Sequence, residues 1–151
     1  MHKRGNIWFV LADGAKARIL QRRSSEPRHF DVVADETSVE SQLPGHELVT
    51  DRPGRSYESA TSSRHAIEGK INPHEAAKLR FELQIAELVN RAAEQGLFDS
   101  LVLVAPPSVL GDMRQALSTQ ARERLIAEEG KDLLGLPERT QTNRLTALLR
   151  R

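Results

Sequence analysis

The sequence predicts a single α/β domain over residues 1–151, built on a mixed β-sheet. An antiparallel meander opens the sheet. After a long polar loop, about 35–72, the chain continues as helix–strand–helix–strand–helix. Three observations predict this order. The runs Ile7–Ala12 and Leu101–Ala105 are short and nearly continuous in hydrophobicity, as strands covered on both faces are. Phe81, Ile85, Leu88, Val89 and Ala92 recur at helical spacing. Asp13-Gly14 and Ser24-Ser25-Glu26-Pro27 are turn signals between strand-like runs, which makes the first strands neighbours.

Each element has a local reason. Asn6–Ala12 is aromatic and branched, so it reads as a buried strand. Ala17–Gln21 follows the Asp13-Gly14 turn as its hairpin partner, and Arg28–Ala34 reads as a third strand. Asn72-Pro73-His74-Glu75 starts a helix: Asn caps, Pro fits the first turn and Glu completes a capping box. That helix runs to about Gln95, where Gly96 stops it. Its apolar face points inward, and Lys78, Glu82 and Arg91 are expected on the wet side. Leu101–Ala105 ends at Pro106-Pro107. Ser108–Leu117 reads as a short helix, Ser118–Arg124 as another helical turn and Leu125–Glu128 as a strand. Pro137 opens a last amphipathic helix with Leu145, Leu148 and Leu149 facing in. The expected core is Trp8, Val10, Ile19, Val32, Phe81, Ile85, Leu101, Leu103 and Val104.

Composition excludes several classes. With 22 basic against 21 acidic residues the formal net charge is +1, which argues against gripping nucleic acid by bulk charge but leaves a local basic patch open. The absence of cysteine rules out disulfides, thiolate metal sites and Cys nucleophiles, and suits a reducing cytoplasm. Lys3 and Arg4 precede the apolar run Ile7–Ala12, but that run is shorter than the roughly 7–15 residues of a signal-peptide core. No stretch approaches the ~20 apolar residues of a membrane helix, so no membrane insertion is expected. The expected localisation is therefore cytoplasmic.

The loop about 35–72 is the most unusual feature. Structureless stretches beyond about 12–15 residues are uncommon in compact domains and are usually functional or disordered. This one lies between core elements and holds the chain's single tyrosine, Tyr57, with His46 and His65. Gly69-Lys70 lacks the other residues of a phosphate loop, and no G-x-G-x-x-G occurs, so no cofactor is expected. His46, Asp51 and His65 do not have metal-ligand spacing, so no metal is expected either. A nucleophile–base pair would draw on His65 with Ser56, Ser59, Ser62 or Ser63. G-x-S-x-G is absent, however, and serine is an ordinary loop residue. No catalytic residue is assigned; the alternative is a hydrolase using the loop's Ser and His. Arg52 and Arg55 either hold a phosphate bidentately, with Gly54 letting the backbone approach, or pair internally with loop carboxylates such as Asp51 and Glu58. Asp13 at the hairpin tip reads first as a turn former.

The run Ile7-Trp8-Phe9-Val10-Leu11-Ala12-Asp13-Gly14-Ala15-Lys16-Ala17-Arg18 resembles the opening of the bacterial host attachment proteins, described as required for attachment to host cells. Asp51-Arg52-Pro53-Gly54-Arg55-Ser56, followed by Arg64-His65-Ala66, resembles that family's central motif. Phe98–Pro106, Leu110-Gly111 and Lys131-Asp132-Leu133 extend the resemblance over nearly the whole chain. The family is in turn similar to the central domain of archaeal and eukaryotic peptide-release factors. There a long loop carries a Gly-Gly-Gln motif into the peptidyl-transferase centre. Here Pro53-Gly54-Arg55-Ser56 has one Gly and no Gln, so that hydrolytic activity does not carry over. The resemblance implies a release-factor-like fold and a non-catalytic binding module with an indirect role in attachment. Its partner would be the ribosome or RNA, or alternatively another protein. The binding residues it points to are Asp13, Asp51, Arg52, Gly54, Arg55, Ser56, Arg64 and His65.

Overall fold

The computed structural model describes residues 5–40 and 72–150. Strands β1 (Asn6–Ala12), β2 (Lys16–Arg23) and β3 (Asp31–Thr37) come first. Helix α1 (Pro73–Glu94), strand β4 (Ser100–Val104), helices α2 (Pro107–Ala116) and α3 (Thr119–Glu123), strand β5 (Leu125–Glu129) and helix α4 (Glu138–Leu149) follow. The sheet is mixed, in the order β3-β2-β1-β4-β5. β1–β2 and β2–β3 are antiparallel, the expected meander, whereas β1–β4 and β4–β5 are parallel.

β1 is continuously apolar because it lies at the centre of the sheet with both faces covered. Trp8, Val10 and Ala12 join Phe81, Ile85, Val89 and Leu103 under α1 and α2. Ile7, Phe9 and Leu11 point the other way and join Val104, Leu145 and Leu148 under α4. Each large side chain so buried contributes about 1.5–3 kcal/mol of transfer free energy. Trp8 is core, and its indole Nε1 donates to Gln21 Oε1 at 2.9 Å.

The helix signals act locally as expected. Asn72 Oδ1 accepts from Glu75 N at 2.7 Å, and Pro73 occupies the first turn. Ser118 caps α3 through its hydroxyl. Three expectations need correction. The third strand begins later than Arg28, because Glu26–His29 closes a turn first (His29 N to Glu26 O, 3.0 Å), and it runs on through Asp35–Thr37, taking in the first residues of the expected loop. Val32 is not core. It is 47% exposed on β3, which among the described strands is an edge with only β2 beside it, and a register shift opposite Ile19 and Leu20 accompanies the exposure of Val33. Glu82 is not on the wet side: it is 1% exposed. α1 packs on the sheet and also on α2 and α3, so its buried band widens to take in Glu82, Ala86 and Ala93.

Candidate functional site

The carboxyl ends of β1 and β4, the parallel pair at the middle of the sheet, lie at one edge. In open α/β sheets this is where ligand crevices form. Segment 41–71 leaves and rejoins the described fold at this edge. On the leaving side, Thr37 at the end of β3 pairs with Lys16, and Ser38 N donates to Ala15 O at 2.7 Å. Glu40 then receives two bonds from the Arg80 guanidinium, Nε at 3.0 Å and Nη2 at 2.7 Å. That fork holds the Glu40 carboxyl below its ordinary value, outweighing the opposite effect of burial. On the returning side, Asn72 caps the helix that carries Arg80.

The β1–β2 turn sits at the same edge. Asp13 Oδ1 accepts from Ala15 N at 2.9 Å and from Lys16 N at 2.8 Å, so this carboxylate shapes its own turn. Gly14 has φ +94°, and a Cβ there would meet Lys78 Cγ at 3.1 Å. Glycine is needed both for the backbone angle and for the close passage of the lysine stem.

Beneath that turn, Lys78, Glu82 and Asp112 form a charged cluster between α1 and α2. Lys78 Nζ lies 3.0 Å from Glu82 Oε2 and 3.5 Å from Asp112 Oδ2. The first contact is an ion pair without hydrogen-bond alignment, and neither buried Glu82 oxygen has a hydrogen-bond donor among the described residues. Burial, reinforced by the neighbouring Asp112 carboxyl, pushes the Glu82 carboxyl up to about 7 against the pull of Lys78. Burial works against the Lys78 ammonium, but the two carboxylates outweigh it and raise its pKa.

On the other face of the same edge, a groove of about 480 Å³ runs between β2–β3 and the start of α4. Arg18 stands in it, with Nε 2.9 Å from Asp35 Oδ1 and Nη1 3.3 Å from Glu138 Oε2. Its floor includes Leu134, Leu136 and Gln141. Gln141 Nε2 donates to Leu133 O at 3.0 Å, which fixes the amide's orientation.

Of the residues singled out from sequence, Asp13 is placed at the edge that bears segment 41–71. Asp51, Arg52, Gly54, Arg55, Ser56, Arg64 and His65 lie outside the described residues, as does His46. Sequence reasoning missed Glu40, Arg80 and the Lys78–Glu82–Asp112 cluster. The four-residue spacing of Lys78 and Glu82 was legible as a helix-surface pair. Nothing local pointed to Asp112, which arrives from another helix. Among the described residues no cluster of His, Asp and Glu has the arrangement to hold a metal ion. No described helix is long and apolar enough to cross a membrane.

Comparison with known proteins shows a family and a fold. A family model described as "Protein required for attachment to host cells" matches residues 8–145. The crystal structure of an archaeal translation termination factor, aRF1, superposes with a TM-score of 0.50 at 12% sequence identity. The superposition covers 96% of this chain and 39% of the termination factor's chain, so this protein spans well under half of that relative. At this identity the likeness is one of fold. No curated protein sequence matches the chain.

Proposed function

This chain belongs to the family of proteins required for attachment to host cells, and from that premise we propose that it is a non-catalytic binding module whose segment 41–71 engages RNA, the ribosome's included, acting on attachment indirectly. The observation that carries this reading is the anchoring of both ends of segment 41–71 at one sheet edge. Glu40 is bound to Arg80, and the capping Asn72 begins the same helix. A segment rooted twice on one rigid helix is presented to a partner with less ordering cost than a free tail. Arg52, Arg55 and Arg64 supply cations, and Gly54 permits close backbone approach. At the root, Arg80 is paired with Glu40 and Lys78 with two carboxylates. Phosphate contacts would draw on the arginines of the segment itself. The fold shared with a translation termination factor supports an RNA-facing role.

The test is equilibrium binding of the full chain to a structured RNA at low and high salt. Micromolar or tighter affinity that weakens steeply with salt is expected. No measurable RNA binding at low salt, with capture of a single protein from lysate instead, would replace this reading with a protein-interaction one.

A further inference from the structure

The cluster beneath the hairpin tip has a feature that an ordinary ion pair lacks. Glu82 is 1% exposed, and neither of its oxygens has a hydrogen-bond donor among the described residues, although Lys78 Nζ is 3.0 Å away. A buried carboxylate left so is costly. The nearest remedy is a proton, because a second carboxylate, Asp112, faces the same ammonium with its Oδ2 3.5 Å from Lys78 Nζ, so two acids crowd one cation. We propose that Glu82 and Asp112 share one proton across the α1–α2 contact, with Lys78 balancing the remaining charge, and that this proton is a latch on the start of α1, where segment 41–71 rejoins the fold.

Among the described residues, two charged groups bear on Glu82. Lys78 faces it from its own helix and Asp112 from α2. The hairpin tip contributes Gly14, which has no side chain, while Asp13 is bonded to its own turn. The buried cluster that α1 shares with the sheet and α3, with Val10, Ala12, Ile19 and Ala121 among its members, is apolar. Arg80 is engaged with Glu40. One proton therefore decides whether the cluster is neutral or carries a net negative charge. When protonated, Glu82 donates to the Asp112 carboxylate and the Lys78 ammonium neutralises that carboxylate. When the proton leaves to solvent, two carboxylates face one ammonium and the contact between α1 and α2 weakens. The folded-state value, about 7, lies above the ordinary 4.5. The proton's contribution to stability is thus fully present below about pH 4.5 and is lost as pH rises through about 7. Lys78 connects this event to the segment's root, because its stem packs against Gly14 and it lies in the first turns of α1. The latch operates whatever segment 41–71 binds.

The test is a carboxyl-carbon NMR titration of the full chain, with backbone amide exchange at residues 74–80 measured at pH 6 and 8 and corrected for intrinsic rates. One Glu resonance titrating near pH 7 is expected, absent in Glu82→Gln and shifted toward the ordinary carboxylate range in Asp112→Asn. Amide protection at 74–80 is expected to fall between pH 6 and 8 in the wild type and to persist at pH 8 in Glu82→Gln. The wild-type titration needs no variant to fold. Glu82 titrating in the ordinary range, protection independent of pH, or an unchanged midpoint in Asp112→Asn would each overturn the proposal.

Discussion

Arg80 grips Glu40 with two parallel bonds, Nε to Oε1 at 3.0 Å and Nη2 to Oε2 at 2.7 Å, joining the chain just beyond β3 to a helix that begins at Pro73. The pair is partly exposed, with the side chains 59% and 39% accessible, so its net worth is about 0.2–1 kcal/mol. Its role is positional. Arg80→Ala should leave the melting temperature nearly unchanged while speeding proteolytic cleavage within 41–71. The Glu40 carboxyl is depressed by this contact, so the contribution is present above the ordinary carboxylate range and is lost as pH falls through the depressed value. Cleavage as slow as in the wild type would show that the fork does not hold the segment.

Ile85 is fully buried between α1 and the sheet. Truncation to Ala should cost about 2–5 kcal/mol, read from denaturant midpoints at unchanged slope. A loss under 1 kcal/mol would mean that the site collapses around the cavity.

Gly14→Ala forces an L-residue to φ +94° and pushes a methyl toward Lys78 Cγ, 3.1 Å away. A loss of about 1 kcal/mol or more is expected from the backbone alone. The lysine stem can shift, so the Glu82 titration midpoint should move as well. A stable variant with an unmoved midpoint would separate the hairpin tip from the cluster.

Arg52→Ala, Arg55→Ala and Arg64→Ala test the RNA reading individually. Each arginine that contacts phosphate should lower the log–log salt slope by roughly 0.7–0.9 when removed, with little dependence on RNA sequence. If an arginine instead pairs with Asp51, Glu58 or Glu68, its removal should lower the melting temperature and leave the slope alone. Measuring both quantities on the same three variants decides the matter.

Ser56→Ala and His65→Ala address the hydrolase alternative. Neither the wild type nor either variant should turn over ester, phosphoester or peptidyl-tRNA substrates. A robust wild-type rate that disappears in one variant with its fold intact would make that side chain part of a catalytic pair.

The sequence by itself determined the elements whose cause is local. The unbroken apolar run of β1, the Asp13-Gly14 turn, the Asn72-Pro73 helix start and the facing of Phe81, Ile85 and Val89 all follow from periodicity and capping within a few residues. The motifs Asp51–Ser56 and Arg64–Ala66 were likewise legible as a resemblance to the attachment family. Only the tertiary structure decided which strands pair in parallel, and hence which edge bears segment 41–71. It placed Val32 on an open edge, although its composition suits a core strand. It also buried Glu82 among Lys78 and Asp112, although helix periodicity put that carboxylate in water. The physical reason is the same in both cases. A side chain's exposure depends on what packs over it, and α2 reaches α1 only after an intervening strand has set its position.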